Sequence, residues 1–95
     1  MIMTILECNI DESKWNLLKS KYSEIIKKMP IQMVRTYLVQ NAKNRNIWRV
    51  ISVWKSKEKL LEYRETVPSP EGIMLFKSLG IEPVLTLFEI IESQQ

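Results

Sequence analysis

The chemistry open to this chain is bounded first by a residue type it lacks, histidine. Its absence removes the usual neutral-pH general base, the Ser-His and Cys-His dyads, and the commonest metal ligand. Cys8 is the sole cysteine, so neither an internal disulfide nor a cysteine cluster for zinc can form. A lone cysteine of this kind reads as a small, inert core residue. The carboxylate pairs Asp11/Glu12 and Glu62/Glu65 fall on polar helix positions and read as solvated charges, not as an acid–base pair. Gly72 and Gly80 are too few to build a phosphate-cradling loop. What remains is a set of flat rings and hydrogen-bond donors: Asn9, Tyr22, Arg35, Tyr37, Trp48, Arg49, Trp54, Tyr63 and Arg64. Groups of this type bind an apolar molecule and hold charge that develops on it. Any base has to be a carboxylate, a tyrosine of shifted pKa, water, or the substrate's own acidity. Arg35 and Arg49 stand in apolar stretches and need a partner, and a structural ion pair with Glu7 or Glu89 is the favoured reading.

The elements that must position these groups centre on Ile47 to Arg64. Its first half, Ile-Trp-Arg-Val-Ile-Ser-Val-Trp, is β-branched and aromatic, as strands prefer. Its second half is rich in Lys, Glu and Leu, good helix formers, and Ser56 at the join can cap a helix from Lys57 to about Thr66. Before it lie a short strand over Ile2 to Cys8 and a helix that Asp11 caps. The helix carries Trp15, Leu18, Tyr22, Ile25, Ile26 and Met29 on one side. Pro30 ends that helix. Ile31 to Gln40 predicts a strand, residues 41–46 a polar hairpin loop, and Ile47 to Lys55 the return strand. After Val67, Ser69 is expected to cap a short helix with Pro70 at its first position, Gly80 to close it, and Glu82 to Glu92 to form the last strand. The order is that of a ferredoxin-like split βαβ, an α+β fold with an antiparallel sheet and its helices on one face. The chain reads as a single domain over residues 1–95, with 93–95 as a frayed tail.

The composition is that of an ordinary globular domain: 45% hydrophobic, 26% charged, net charge +3. The lysines between Asp11 and Met29 read as the solvated face of a helix, so no nucleic-acid partner is expected. No apolar run is long enough for a membrane span, and Met1-Ile2-Met3-Thr4 lacks the features of a signal peptide; a cytoplasmic protein is expected. Two strands are apolar on both faces. Trp48, Val50 and Trp54 oppose Ile47, Ile51 and Val53, while Val84, Phe88 and Ile90 oppose Leu85, Leu87 and Ile91. One face can be covered by helices, so the other predicts a homodimer with two sheets packed face to face.

Val53-Trp54-Lys55-Ser56-Lys57-Glu58, followed by Leu60 and Tyr63, and the closing strand Val84 to Ile90 resemble the antibiotic biosynthesis monooxygenase-like domains of the dimeric α+β barrel superfamily. The resemblance in element order covers nearly the whole chain and marks the fold more than the chemistry. It implies a small cofactor-independent monooxygenase acting on a hydrophobic aromatic or quinol-type substrate, with no metal or cofactor. A non-catalytic dimeric ligand-binding module, or a relative of the fold alone, is the alternative. The site it implies has Tyr63 and Asn9 as catalytic groups, with Tyr22, Arg64, Trp54, Tyr37 and Arg49 binding substrate. Arg35 and Trp48 are further donors on the middle strands. Each of these has a bland counterpart: Tyr63 and Trp54 as core rings, Trp54 more so, and Asn9 as a turn residue. The haem-degrading branch of the superfamily uses an asparagine on the first strand, a tryptophan on the second helix and a histidine after it. Tyr63 falls at the tryptophan's place and Asn9 near the asparagine's, with Cys8 or Glu7 there under a small shift. The histidine has no counterpart, so haem degradation is not expected.

Overall fold

In the computed structural model, which describes residues 1–94, every strand and helix expected from the sequence is present, with shifted ends. β1 spans Ile2–Asn9, β2 Met33–Gln40, β3 Ile47–Trp54 and β4 Val84–Glu89; α1 spans Trp15–Ile25, α2 Lys57–Thr66 and α3 Glu71–Lys77. The sheet runs β2-β3-β1-β4 with every neighbouring pair antiparallel, and the fold is α+β and ferredoxin-like.

The long first helix is broken at both ends into tighter turns, over Glu12–Lys14 and Ile26–Lys28. Asp11 starts it by accepting from the Ser13 amide at 3.0 Å. The Ser13 hydroxyl, and then that amide, hold the Asp11 carboxyl below its usual range. β2 begins later than expected because Pro30 to Gln32 form a turn, closed by the Met33 amide donating to the Pro30 carbonyl at 3.1 Å. A bulge between Met33 and Arg35 then resets the register against β3. β4 is likewise shorter than its apolar pattern suggested. Of the expected tail, Ser93 and Gln94 carry no regular structure and residue 95 lies outside the described residues.

α2 starts as the sequence dictates, with the Ser56 hydroxyl accepting from the Lys59 amide at 3.1 Å. α3 does not. Ser69 makes no cap, and Pro70 occupies the cap position without a side-chain bond. A neighbouring helix supplies the acceptor instead: the Glu71 amide donates to the Tyr63 hydroxyl at 3.3 Å. Gly80 ends the α3 region in the left-handed conformation (φ +77°), as expected of a helix-closing glycine. Gly72 does something the sequence did not reveal. A Cβ there would stand 2.9 Å from Leu6 Cδ1, so glycine lets α3 lie directly on β1.

β1 and β3 alternate strictly. Ile2, Thr4, Leu6 and Cys8, with Trp48, Val50, Ser52 and Trp54, are buried under the helices. The helices leave two packed clusters. One gathers Leu6, Cys8, Ile10, Leu18, Trp48, Val50, Leu75, Phe76 and Leu79. The other holds Ile2, Trp54, Leu60 and Tyr63. The opposite face of the sheet carries Tyr37 (45% exposed), Val84 (63%) and Phe88 (54%), with Ile47, Ile51 and Val53 half-buried. Among the described residues no helix is long and apolar enough to cross a membrane.

Candidate active site

A cavity of about 80 Å³ opens between the sheet and the helices, on the Trp54 side of the main core. Its floor is the helix-facing side of β1, β2 and β3: Thr4, Leu6, Met33, Thr36, Val50, Ser52 and Trp54. Its walls come from α1 and the turn after it (Tyr22, Ile25, Ile26, Met29), from α2 (Leu60, Tyr63, Arg64), and from the start of α3 (Pro70, Glu71, Gly72). Most of this lining is apolar, and its charged members are Arg64 and Glu71. A single water needs ~10–15 Å³ of such space, so the cavity suits a molecule of one or two small rings rather than a large polycycle.

Of the residues expected at a site, Tyr22, Trp54, Tyr63 and Arg64 meet in this cavity. The Trp54 ring lies 5.1 Å from that of Tyr63, and its indole N–H donates to Thr4 Oγ1 at 3.0 Å. Tyr63 Oη is engaged by the Glu71 amide, so it ties α2 to α3 as well as lining the cavity. Tyr22 Oη donates to Thr36 Oγ1 at 3.1 Å, and Thr36 Oγ1 lies 3.2 Å from Ser52 Oγ. Arg64 has no ion-pair partner among the described residues.

Three expected members lie elsewhere. Asn9 pairs with Ile47 at the exposed end of β1, on the parity of the helix-free face. The alternation of β1 puts Cys8 inward and Asn9 outward, so Asn9 is outside the cavity. Tyr37 is outward for the same reason, paired with Ile51, and its hydroxyl accepts from Arg35 at 3.4 Å. Arg49 is also outward and bonds Glu7 across the strands at 2.6 Å, the structural ion pair that the sequence favoured. Trp48 is buried in the main cluster with Trp15 edge-on at 5.8 Å, not at the cavity. Glu71, Thr4, Thr36 and Ser52 were not singled out from the sequence. The signal for the hydroxyls was there, since Ser52 interrupts the inward apolar series Trp48, Val50, Trp54.

Sheet order, helix placement and cavity together define the fold of the antibiotic biosynthesis monooxygenase-like domains. Solved structures agree. A protein from Deinococcus radiodurans named for antibiotic biosynthesis monooxygenases superposes with TM-score 0.78 at 10% identity, over 100% of this chain and 97% of that one. One of the same name from Nitrosomonas europaea gives 0.71 at 11%, over 97% and 100%. A heme-degrading protein from Mycobacterium tuberculosis gives 0.71 at 14%, over 99% and 94%. At these identities the likeness is one of fold. No family model matches the sequence, and no curated protein matches it.

Haem does not fit the residues present. The chain has no histidine, the cavity lining offers no cysteine, and the Tyr63 hydroxyl is already bonded to the α3 backbone. Among the described residues no cluster of His, Cys, Asp or Glu could hold a metal ion.

Proposed function

We propose that this chain is a small cofactor-independent monooxygenase, acting on an electron-rich phenol or quinol-type ring bound between sheet and helices. The observation that supports it is the lining: a mostly apolar cavity whose charged residues are one arginine, Arg64, and one glutamate, Glu71. In this reading Glu71 accepts the phenolic proton and Arg64 holds the phenolate, favouring the charged form. The electron-rich ring carbon then bonds dioxygen, and loss of water from the hydroperoxide leaves a quinone. One phenol and one dioxygen give one quinone and one water, so the substrate supplies the electrons. Tyr22 and Trp54 shape the slot, and Tyr63 keeps the start of α3 against it.

The working form is proposed to be a homodimer, because the helix-free face exposes Tyr37, Val84 and Phe88 beside half-buried Ile51 and Val53. Packing that face against its copy would cover the patch and leave both cavities on the outer, helical side.

The decisive experiment is oxygen uptake with 1-naphthol and 2,6-dimethylphenol, on protein whose mass is followed by sedimentation. One dioxygen consumed per quinone formed is expected, on a dimer, with Arg64→Ala slowing turnover roughly 10²-fold as loss of an oxyanion donor does. Binding of the phenols without oxygen uptake would turn the reading toward a non-catalytic ligand-binding module. That second reading is favoured by Asn9 lying outside the cavity and by the engaged hydroxyl of Tyr63.

A further inference from the structure

Among the described residues Thr4 and Ser52 are the buried aliphatic hydroxyl side chains, 7% and 5% exposed, and both lie on the cavity floor. They are register partners across β1 and β3, and Thr36 is the register partner of Ser52 across β3 and β2. Three adjacent strands thus present a transverse row of hydroxyls, Thr36, Ser52, Thr4, between the apolar inward pairs Leu6–Val50 and Ile2–Trp54. Burying hydroxyls costs free energy unless they are hydrogen-bonded, so where their hydrogens go is a question with a definite answer.

The row and its two aromatic neighbours carry five hydrogens: one each on the hydroxyls of Tyr22, Thr36, Ser52 and Thr4, and one on the Trp54 indole. Three are spent. Tyr22 donates to Thr36, one of Thr36 and Ser52 donates to the other, and Trp54 donates to Thr4. Whichever way the Thr36–Ser52 bond points, one O–H of that pair is left over, and so is the O–H of Thr4. No acceptor for either is found among the described residues. Their oxygens, by contrast, are the ones already accepting. The floor therefore offers two unspent O–H donors beside oxygens that already accept.

We infer that the Thr36–Ser52–Thr4 row is a recognition site for a hydrogen-bond-accepting oxygen, and that the small ring held in the cavity presents a carbonyl-type oxygen to the sheet. The two unspent donors of the row meet one acceptor, while the apolar walls take the ring. Trp54 fixes the Thr4 oxygen, and the Tyr22–Thr36 bond fixes the other end of the row. This rests on the cavity being a ligand site, and it names a chemistry the site favours: a ring bearing a carbonyl oxygen, as the quinone product of the proposed reaction does, not a hydrocarbon.

The test compares 1-indanone with indane, equal in ring size and differing in the carbonyl, by amide chemical-shift titration of the intact protein. An apolar cavity alone prefers indane, because stripping water from a carbonyl is unfavourable. The row predicts the opposite: indanone binds about tenfold more tightly, a hydrogen-bond effect of the usual size, and Ser52→Ala returns the preference to indane by weakening indanone. Should Ser52→Ala fold poorly, Thr4→Ser and Thr4→Val carry the same question, the first keeping the preference and the second losing it. Indane bound as tightly as indanone by the unmodified protein would overturn the inference and leave the cavity as a ligand site. Binding of neither would remove both.

Discussion

Trp48 and Trp54 occupy opposite ends of the same face of the same strand, and their surroundings are opposites too. Trp48 sits in the main cluster under α1 and α3, with Leu18 and Phe76 fully buried beside it and Trp15 against its edge. Its indole N–H finds no acceptor among the described residues. Trp54 sits under short α2, its N–H bonded to Thr4, with Tyr63 tilted against it and a cavity alongside. One end of the sandwich tolerates an unpaired donor in order to be closely packed. The other pairs its indole N–H and leaves space. The difference separates a closely packed end under α1 and α3 from a cavity-bearing end beside α2.

If that division holds, truncating the closed end is the most damaging single change. Phe76→Ala removes a fully buried ring from the centre of the main cluster and is expected to cost about 3–5 kcal/mol, read by urea unfolding. A much smaller loss would mean that the two ends are packed alike and that the comparison is wrong. Tyr63→Phe at the open end keeps the ring against Trp54 and removes only the acceptor for the Glu71 amide. The loss of one long hydrogen bond should cost ~1 kcal/mol or less. If turnover falls by more than that change in stability accounts for, Tyr63 has a part in the chemistry. If the two fall together, its hydroxyl serves to hold α2 to α3.

The sequence carried the architecture because the fold is written in local signals: the Ser56 cap, the Pro30 stop, the Gly80 closure and the apolar runs. It carried the site less well. Tyr22, Trp54, Tyr63 and Arg64 were legible because helix periodicity and strand parity fix which way they point. Asn9 and Tyr37 lie outside the cavity because each stands one residue from an inward position, and a single step along a strand exchanges faces. The bulge between Met33 and Arg35 makes that parity harder to read in β2. Arg49 stands in an apolar run that demands a partner, and the pairing of β1 with β3 selects Glu7 over Glu89. The α3 cap was unreadable because it is tertiary, supplied by Tyr63 where a local Ser69 was expected.

Cys8 offers the gentlest test of how closed the closed end is. It belongs to the main cluster and pairs with Trp48 across the strands. Burial, and then the charges of Glu7 and Glu82, push its thiol up to about 11. In the unfolded chain the thiol ionises near its ordinary value of ~8.5. Between about pH 9 and pH 11 the unfolded state has released a proton that the folded state keeps, so stability must fall as pH rises through that window. Below it both states hold the proton and the group contributes no slope. The expected result is that the stability difference between the unmodified protein and Cys8→Ala is flat up to about pH 8 and shrinks above pH 9. Alkylation of the folded protein at neutral pH should be slow for the same reason, because the thiolate is the nucleophile. A thiol that labels as fast folded as unfolded would show that solvent reaches the Trp48 end as well, and the contrast between the two tryptophans would then be one of shape alone.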